Sequence, residues 1–244
     1  QRGAVAGANG HTGAYPGVVV GIVTNNKPPT NQLQGQVKVK FPWLANDESN
    51  WARLATPMTG NGRGFYFIPE VNDEVLVAFE QGDINRPYVI GSVWNGRDTP
   101  PTPASQVVDA SGKVNQRILK SRLGHTITLD DSPDAPSITI VDKTAKNSIK
   151  LDSTTNKLTA TVEGDMLLEA KGTVTVKGST VDVQATRDLK MKGMSANLEA
   201  TNALTAKGAT TNVEATAAMT VKGTTTSVQG SATTEVKGGL VRIN

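Results

Sequence analysis

Residues 177–193 read KGSTVDVQATRDLKMKG, and they decide the architecture of the second half of the chain. Lys-Gly opens and closes this stretch and returns at 207/208, 222/223 and 237/238, always fifteen residues on. The same stride carries Leu168, Val183, Leu198, Val213, Val228 and Ile243, and also Ala170, Ala185, Ala200, Ala215 and Gly230. An internal repeat of this kind has to be read before any single element. Within each unit the apolar residues fall in i, i+2 pairs: Val174/Val176, Val181/Val183, Leu189/Met191, Ala196/Leu198, Leu204/Ala206 and Met219/Val221. Residues two apart share a face of a strand but not of a helix. Pair starts advance alternately by seven and eight (174, 181, 189, 196, 204), so each unit is two short strands with a turn after each. The Gly of Lys-Gly supplies permissive backbone at one of those turns.

Strands with one thin apolar face, and with no aromatic or helix to cover it, must stack. Burying a Val or Leu stabilises by about 1.5–3 kcal/mol only when burial is complete. A single-chain β-solenoid with two strands per coil would enclose only a slit, whereas three chains wound about one axis close a three-sided prism. The expected state is therefore an intertwined homotrimer. About ten strands spaced about 4.8 Å apart give a rod of about 50 Å. Its inward residues are expected to be Val174, Val176, Val181, Val183, Leu189, Met191, Leu198, Leu204, Val213, Met219, Val221, Val228, Val236 and Ile243.

Working outward, the first half differs in composition. All ten aromatics lie between Tyr15 and Trp94 and all twelve prolines between Pro16 and Pro136, leaving residues 137–244 with neither. Short apolar runs at Gly17–Thr24, Gly35–Phe41, Glu74–Glu80 and Tyr88–Trp94 are separated by turn formers such as Asn25-Asn26-Lys27-Pro28-Pro29 and Gly60-Asn61-Gly62. Val37-Lys38-Val39-Lys40-Phe41 alternates as a half-buried strand does. Several strands in this span with no helical period indicate a small Greek-key barrel of the OB type. The expected organisation is a lead segment at 1–14, an OB-fold domain at 15–98, a Pro-rich linker at 99–119 and a β-helix at 120–244, regular from about 166.

Charge and composition exclude several classes. Residues 1–136 carry twelve Lys or Arg against twelve Asp or Glu, and residues 137–244 carry thirteen against ten, which accounts for the net +3. Neither half has the dense basic stripe of a nucleic-acid groove. Trp43, Trp51, Phe65, Tyr66 and Phe67 could form a stacking platform, but Phe65 and Phe67 alternate as core residues would, so no nucleic-acid partner is expected. There is no Cys, hence no disulfide or thiolate site. The longest apolar run, Val18–Val23 interrupted by Gly21, is far short of the ~20 residues of a spanning helix. His125 with Asp130 and Asp131 can be drawn as an acid/base group, but a turn histidine and a strand-ending Asp pair is the preferred reading. His11 has no partner in the sequence, and Asp73/Glu74 reads as hairpin surface. No catalytic residue and no cofactor is expected.

The barrel segments also resemble a known family. Gly35-Gln-Val-Lys-Val-Lys-Phe-Pro-Trp43, Trp51-Ala-Arg-Leu-Ala-Thr-Pro57, Pro69-Glu-Val-Asn-Asp-Glu-Val-Leu-Val-Ala-Phe79 and Gly82-Asp-Ile-Asn-Arg-Pro-Tyr-Val-Ile-Gly91 are similar, in order, to the OB domain of VgrG and phage baseplate assembly protein V. Lys120-Ser-Arg-Leu-Gly-His-Thr-Ile-Thr-Leu-Asp-Asp131 and Ile138–Lys143 resemble the segment that enters the spike's β-helix. The resemblance implies a non-enzymatic, homotrimeric central spike of a contractile injection machine: a phage tail, a type VI secretion system or an extracellular phage-tail-like particle. Such a spike is assembled in the cytoplasm, touches the target membrane transiently, and meets hub, tube and baseplate proteins on its N-terminal side. Spikes of this family that hold tip iron use His-x-His, a pair this sequence lacks, so no metal is expected. A PAAR-type tip protein is expected instead at Leu240, Val241, Arg242, Ile243 and Asn244. No lysozyme-like or toxin module is expected between Trp94 and Lys120. The alternative reading is a β-helical adhesin or surface-binding rod, which would need Thr side chains held on one flat face.

Overall fold

The fold is described from a computed structural model for residues 15–44 and 48–243. The alternating apolar runs become the staves of a closed barrel. Its strands are β1 (Val18–Asn25), β2 (Gln36–Lys40), β3 (Ala52–Leu54), β6 (Glu74–Phe79) and β7 (Pro87–Ser92), in the order β1-β2-β3-β7-β6, with β6 pairing back onto β1. Between β3 and β6 a hairpin of two very short strands, β4 (Thr59–Gly60) and β5 (Arg63–Gly64), stands apart as its own sheet. All barrel pairings are antiparallel except β3 with β7. The period-2 pattern explains the core. Val75, Val77 and Phe79 of β6 point inward alternately and pack with Val23, Val37, Val39, Phe41, Ala52 and Val89. Ser49, the one buried polar or charged residue among the described residues, accepts the Val39 N–H at 3.0 Å and donates to the Asn50 carbonyl at 2.6 Å. Its hydroxyl therefore carries no desolvation penalty.

Beyond the barrel, a single helical turn, α1 (Ala104–Val107), precedes a five-stranded antiparallel meander. The meander comprises β8 (Gln116–Lys120), β9 (Thr126–Asp130), β10 (Ser137–Val141), β11 (Ser148–Asp152) and β12 (Lys157–Thr161). Strand β8 thus starts inside the stretch read from sequence as linker. Asx-type turns close the hairpins: Asp142 takes Thr144 and Asn147, and Asp152 takes Thr155. The chain divides into two compact units between Glu169 and Ala170. In the second unit, residues 170–243 form no strand paired within the chain.

Candidate functional site

The meander presents an inverted surface. Ladder register places Leu119, Ile127, Ile140, Ile149 and Ala160 in one row across it, and Arg117, Leu129, Ile138, Leu151 and Leu158 in the next. These rows share a face because their residues are two apart on each strand. The named Ile and Leu side chains are 42–66% exposed, while Thr126, Thr128, Asp130, Thr139 and Asp152 on the opposite face are half-buried. The first of these rows lines an open groove of about 490 Å³ that reaches from Leu119 and Ile127 to Val162 and Met166 and is edged by His125, Asp142 and Asn147. A chain that functioned alone would turn this face inward. Monomers rarely expose contiguous apolar patches beyond a few hundred Å².

These residues are absent from the inward set read from the repeat, which starts at Val174. Their signal was present in the alternation of Thr-Ile-Thr-Leu, Ser-Ile-Thr-Ile and Ser-Ile-Lys-Leu, but those segments fall outside the fifteen-residue stride.

In the second unit the backbone runs extended between bends at 171/172, 179, 186/187, 194, 201/202, 209/210, 216/217, 224/225, 231/232 and 239/240. The steps alternate between eight and seven, so the chain changes direction on the stride read from sequence. Five of these bends directly follow a Lys-Gly. None of these five glycines has a positive φ. A Cβ at Gly178, Gly193, Gly208 or Gly223 would instead stand 3.0–3.2 Å from the carbonyl oxygen two residues on. Glycine is needed there for a close backbone approach rather than for a left-handed turn.

Every residue read as inward, from Val174 to Ile243, is exposed within the single chain, as are Leu240, Val241 and Arg242 of the expected tip surface. Asn244 and His11 lie outside the described residues. Among the described residues of this unit no backbone hydrogen bond is made within the chain. A β-extended backbone left unpaired over some seventy residues is a template for strand pairing with other chains.

The groups considered for chemistry are not brought together. The His125 N–H donates to Ser121 Oγ at 3.0 Å, and its Nδ1 accepts the Lys143 N–H at 3.3 Å. His125 stands just before β9, and Asp130 ends that strand. Asp130 accepts from Gln116 and Ser132, and Asp131 pairs with Arg117. Asp73 closes a turn by accepting the Glu70 N–H at 2.7 Å. Among the described residues no three His, Cys, Asp or Glu side chains converge as metal ligands, and no helix is long and apolar enough to cross a membrane.

One expectation is corrected. Phe65 and Phe67 are not core residues; they are 50% and 63% exposed and stack on one another at 6.3 Å. The reason is local. The β4–β5 hairpin is too short to join the barrel, so the segment that follows it lies over a surface groove with Tyr66, Met58 and Leu33. The adjoining Arg53 is engaged, with its guanidinium 4.4 Å from the Tyr88 ring.

A closed five-stranded barrel with one parallel pairing, β3 with β7, is the architecture of an OB domain, and it is followed in the same chain by an extended repeat that bends every seven or eight residues. Residues 19–94 match the type VI secretion system/phage-baseplate injector OB domain, and the barrel built by those residues is that domain's counterpart in this chain. Type VI secretion system spike protein VgrG1a of Pseudomonas aeruginosa is 39% identical over 72 residues, covering 28% of this chain and 11% of that protein. Spike protein VgrG4b of the same species is 38% identical over 90 residues, covering 32% and 11%. The actin cross-linking toxin VgrG1 of Vibrio cholerae is 36% identical over 72 residues, covering 28% and 7%. The chain thus matches about a tenth or less of the length of these relatives.

Proposed function

We propose that this chain is the central spike of a contractile injection machine, acting as a non-enzymatic homotrimer whose repeat forms an intertwined β-helical needle. One observation carries the reading: after an injector OB domain and a paired meander come some seventy residues of bent, extended backbone with neither backbone hydrogen-bond partners in the chain nor cover for their Val and Leu side chains. Three copies supply both. The missing ladder bonds form between chains, and the apolar pairs face a common axis. A rod held by closely spaced ladders with no bulky insertion resists compression along its length, which suits a body driven through an envelope by an external motor. The relatives named as spike proteins support the same role, and in this reading the protein is part of a secretion or phage-tail-like particle.

In this reading the hub, tube and baseplate contact the N-terminal side, and a PAAR-type cone binds the chain at residues 240–244. Light scattering on the full chain tests the assembly: a mass of three 25.6 kDa chains is expected, and a single-chain mass overturns it. Deleting residues 239–244 is expected to abolish binding of the tip protein while leaving the trimer intact. Retained tip binding would remove that surface from the proposal.

A further inference from the structure

The repeat has a weakness that its own regularity creates. Val183, Leu198, Val213 and Val228 occupy equivalent places one unit apart, as do the five Lys-Gly turns. If one chain slides by fifteen residues along its own path, it presents nearly the same side chains to its neighbours and loses contacts only at the ends. Strand registers are weakly specified wherever pairing partners are interchangeable. Within residues 170–243 only graded differences, such as Val181 against Ala196 and Thr211 or Met191 against Ala206, distinguish the correct alignment of chains from one displaced by a unit.

The meander has the opposite character. Its strands begin at 116, 126, 137, 148 and 157, with steps of ten, eleven, eleven and nine; a shift of eleven matches β9 and β10 to β10 and β11 but reverses their direction, and no shift superimposes all the strands that it keeps in place. It is already hydrogen-bonded within each chain, and its exposed face is apolar. It lies immediately before the repeat in sequence.

We infer that the apolar face of residues 116–161 is a self-association surface that takes the same face of further copies of this chain and fixes the register in which the repeats then pair. The inference rests on the trimeric reading above and adds an order of events: the meander docks first, and the repeat closes onto the copies it has aligned. The occupant is a second copy for two reasons. The face is continuous in sequence with a repeat whose backbone also lacks partners in its own chain. Its two rows are also almost uncharged, with Arg117 at one edge engaged by Asp131, so they complement another apolar face rather than a charged ligand.

Residues 1–244 include no Cys, which permits a single-label test on this chain. Asn197→Cys, which alternates with Ala196 and Leu198 and so lies on the opposite face from them, carries a spin label, and label-to-label distances are measured after refolding. The background is either unaltered, Ile127→Thr/Ile140→Thr in the meander, or Val213→Thr/Val228→Thr in the repeat. Thr keeps strand propensity while removing the apolar contact.

The unaltered chain and the repeat variant are expected to give one narrow distance. The meander variant is expected to add a population displaced by about 10 Å along the rod, two strand spacings, or to lose association altogether while the repeat variant keeps it. Equal behaviour of the two variants, whether both slip, both dissociate or both stay in register, overturns the inference and leaves the trimer standing. A single-chain mass for the unaltered protein removes both.

Discussion

Val75 and Val77 on one hand, and Val174 and Val176 on the other, are the same i, i+2 pair written twice in one chain, with opposite fates. The first pair is wholly buried by its own barrel; the second keeps 59% and 74% of its surface. Both lie in extended backbone, so local propensity does not separate them. The difference lies in what surrounds them. The barrel closes on itself, supplies Phe41 and Phe79 to fill its centre, and leaves no free edge. The repeat has no aromatic, changes direction every seven or eight residues, and brings no second strand of its own chain alongside the first. Burial in the barrel is therefore a property of the chain, whereas burial in the repeat has to come from outside the chain, which the proposed trimer would supply.

The sharpest way to break this comparison is to place the same charge in both regions. Val77→Asp puts a carboxylate in a site with no partner, costing on the order of 4 kcal/mol or more. Against the roughly 5–15 kcal/mol that holds a domain together, this should abolish the cooperative melting of the barrel. Val183→Asp should leave that transition within a degree or two of the unaltered chain yet remove the trimer, because three carboxylates would meet near one axial level. Calorimetry and light scattering on the two variants decide the matter. A Val183→Asp protein that stays trimeric and equally heat-resistant would show that Val183 does not face inward.

The same contrast explains what could be read without coordinates. Alternation in Val37–Phe41 and Val75–Phe79 identified barrel strands because a closed sheet demands one buried face, and period 2 reports that demand. Strand β3 went unread: three residues, Ala52-Arg53-Leu54, are too few to show a period. Phe65 and Phe67 misled because alternation gives the spacing of side chains, not whether anything lies above them. In the repeat, the stride revealed the bends, yet the reason for glycine there was legible only from the carbonyl that approaches each one. The rows of the meander escaped for a related reason: their strides of nine to eleven were hidden beside a louder one of fifteen.

A smaller effect sharpens the account of the repeat. Gly223→Ala would set a methyl 3.0 Å from the Thr225 carbonyl oxygen, a backbone obstacle that cannot rotate away, whereas an added Cβ at Gly172 meets nothing within 4 Å. The first exchange is expected to cost about 1–3 kcal/mol per chain. It should lower the temperature at which the trimer dissociates. The second should be neutral or raise it slightly, by the ~0.4–1 kcal/mol that Ala gains from a stiffer unfolded chain. Equal shifts for the two would mean that the Lys-Gly bends are not sterically constrained.

The smallest effect belongs to the meander, whose turns are held by carboxylates. The backbone N–H and hydroxyl of Thr155 donate to Asp152, and Lys150 Nζ lies 3.0 Å away; together they lower the Asp152 carboxyl to about 2. Thr144 does the same in direction for Asp142, and Ser132 for Asp130. A carboxyl whose folded value lies below its unfolded one, about 3.9 for Asp, stabilises the fold fully above that pH and progressively less as pH falls toward the folded value. The β11–β12 hairpin should therefore lose amide-exchange protection between about pH 4 and pH 2, after correction for intrinsic rates. Asp152→Asn keeps an acceptor for Thr155 but removes the charge. It should begin with lower protection near neutral pH and show a flatter acid response over Lys157–Thr161. If its acid response matches that of the unaltered chain, the hairpin is held by its ladder and by the apolar rows on its outer face, and the charged turn contributes nothing measurable to it.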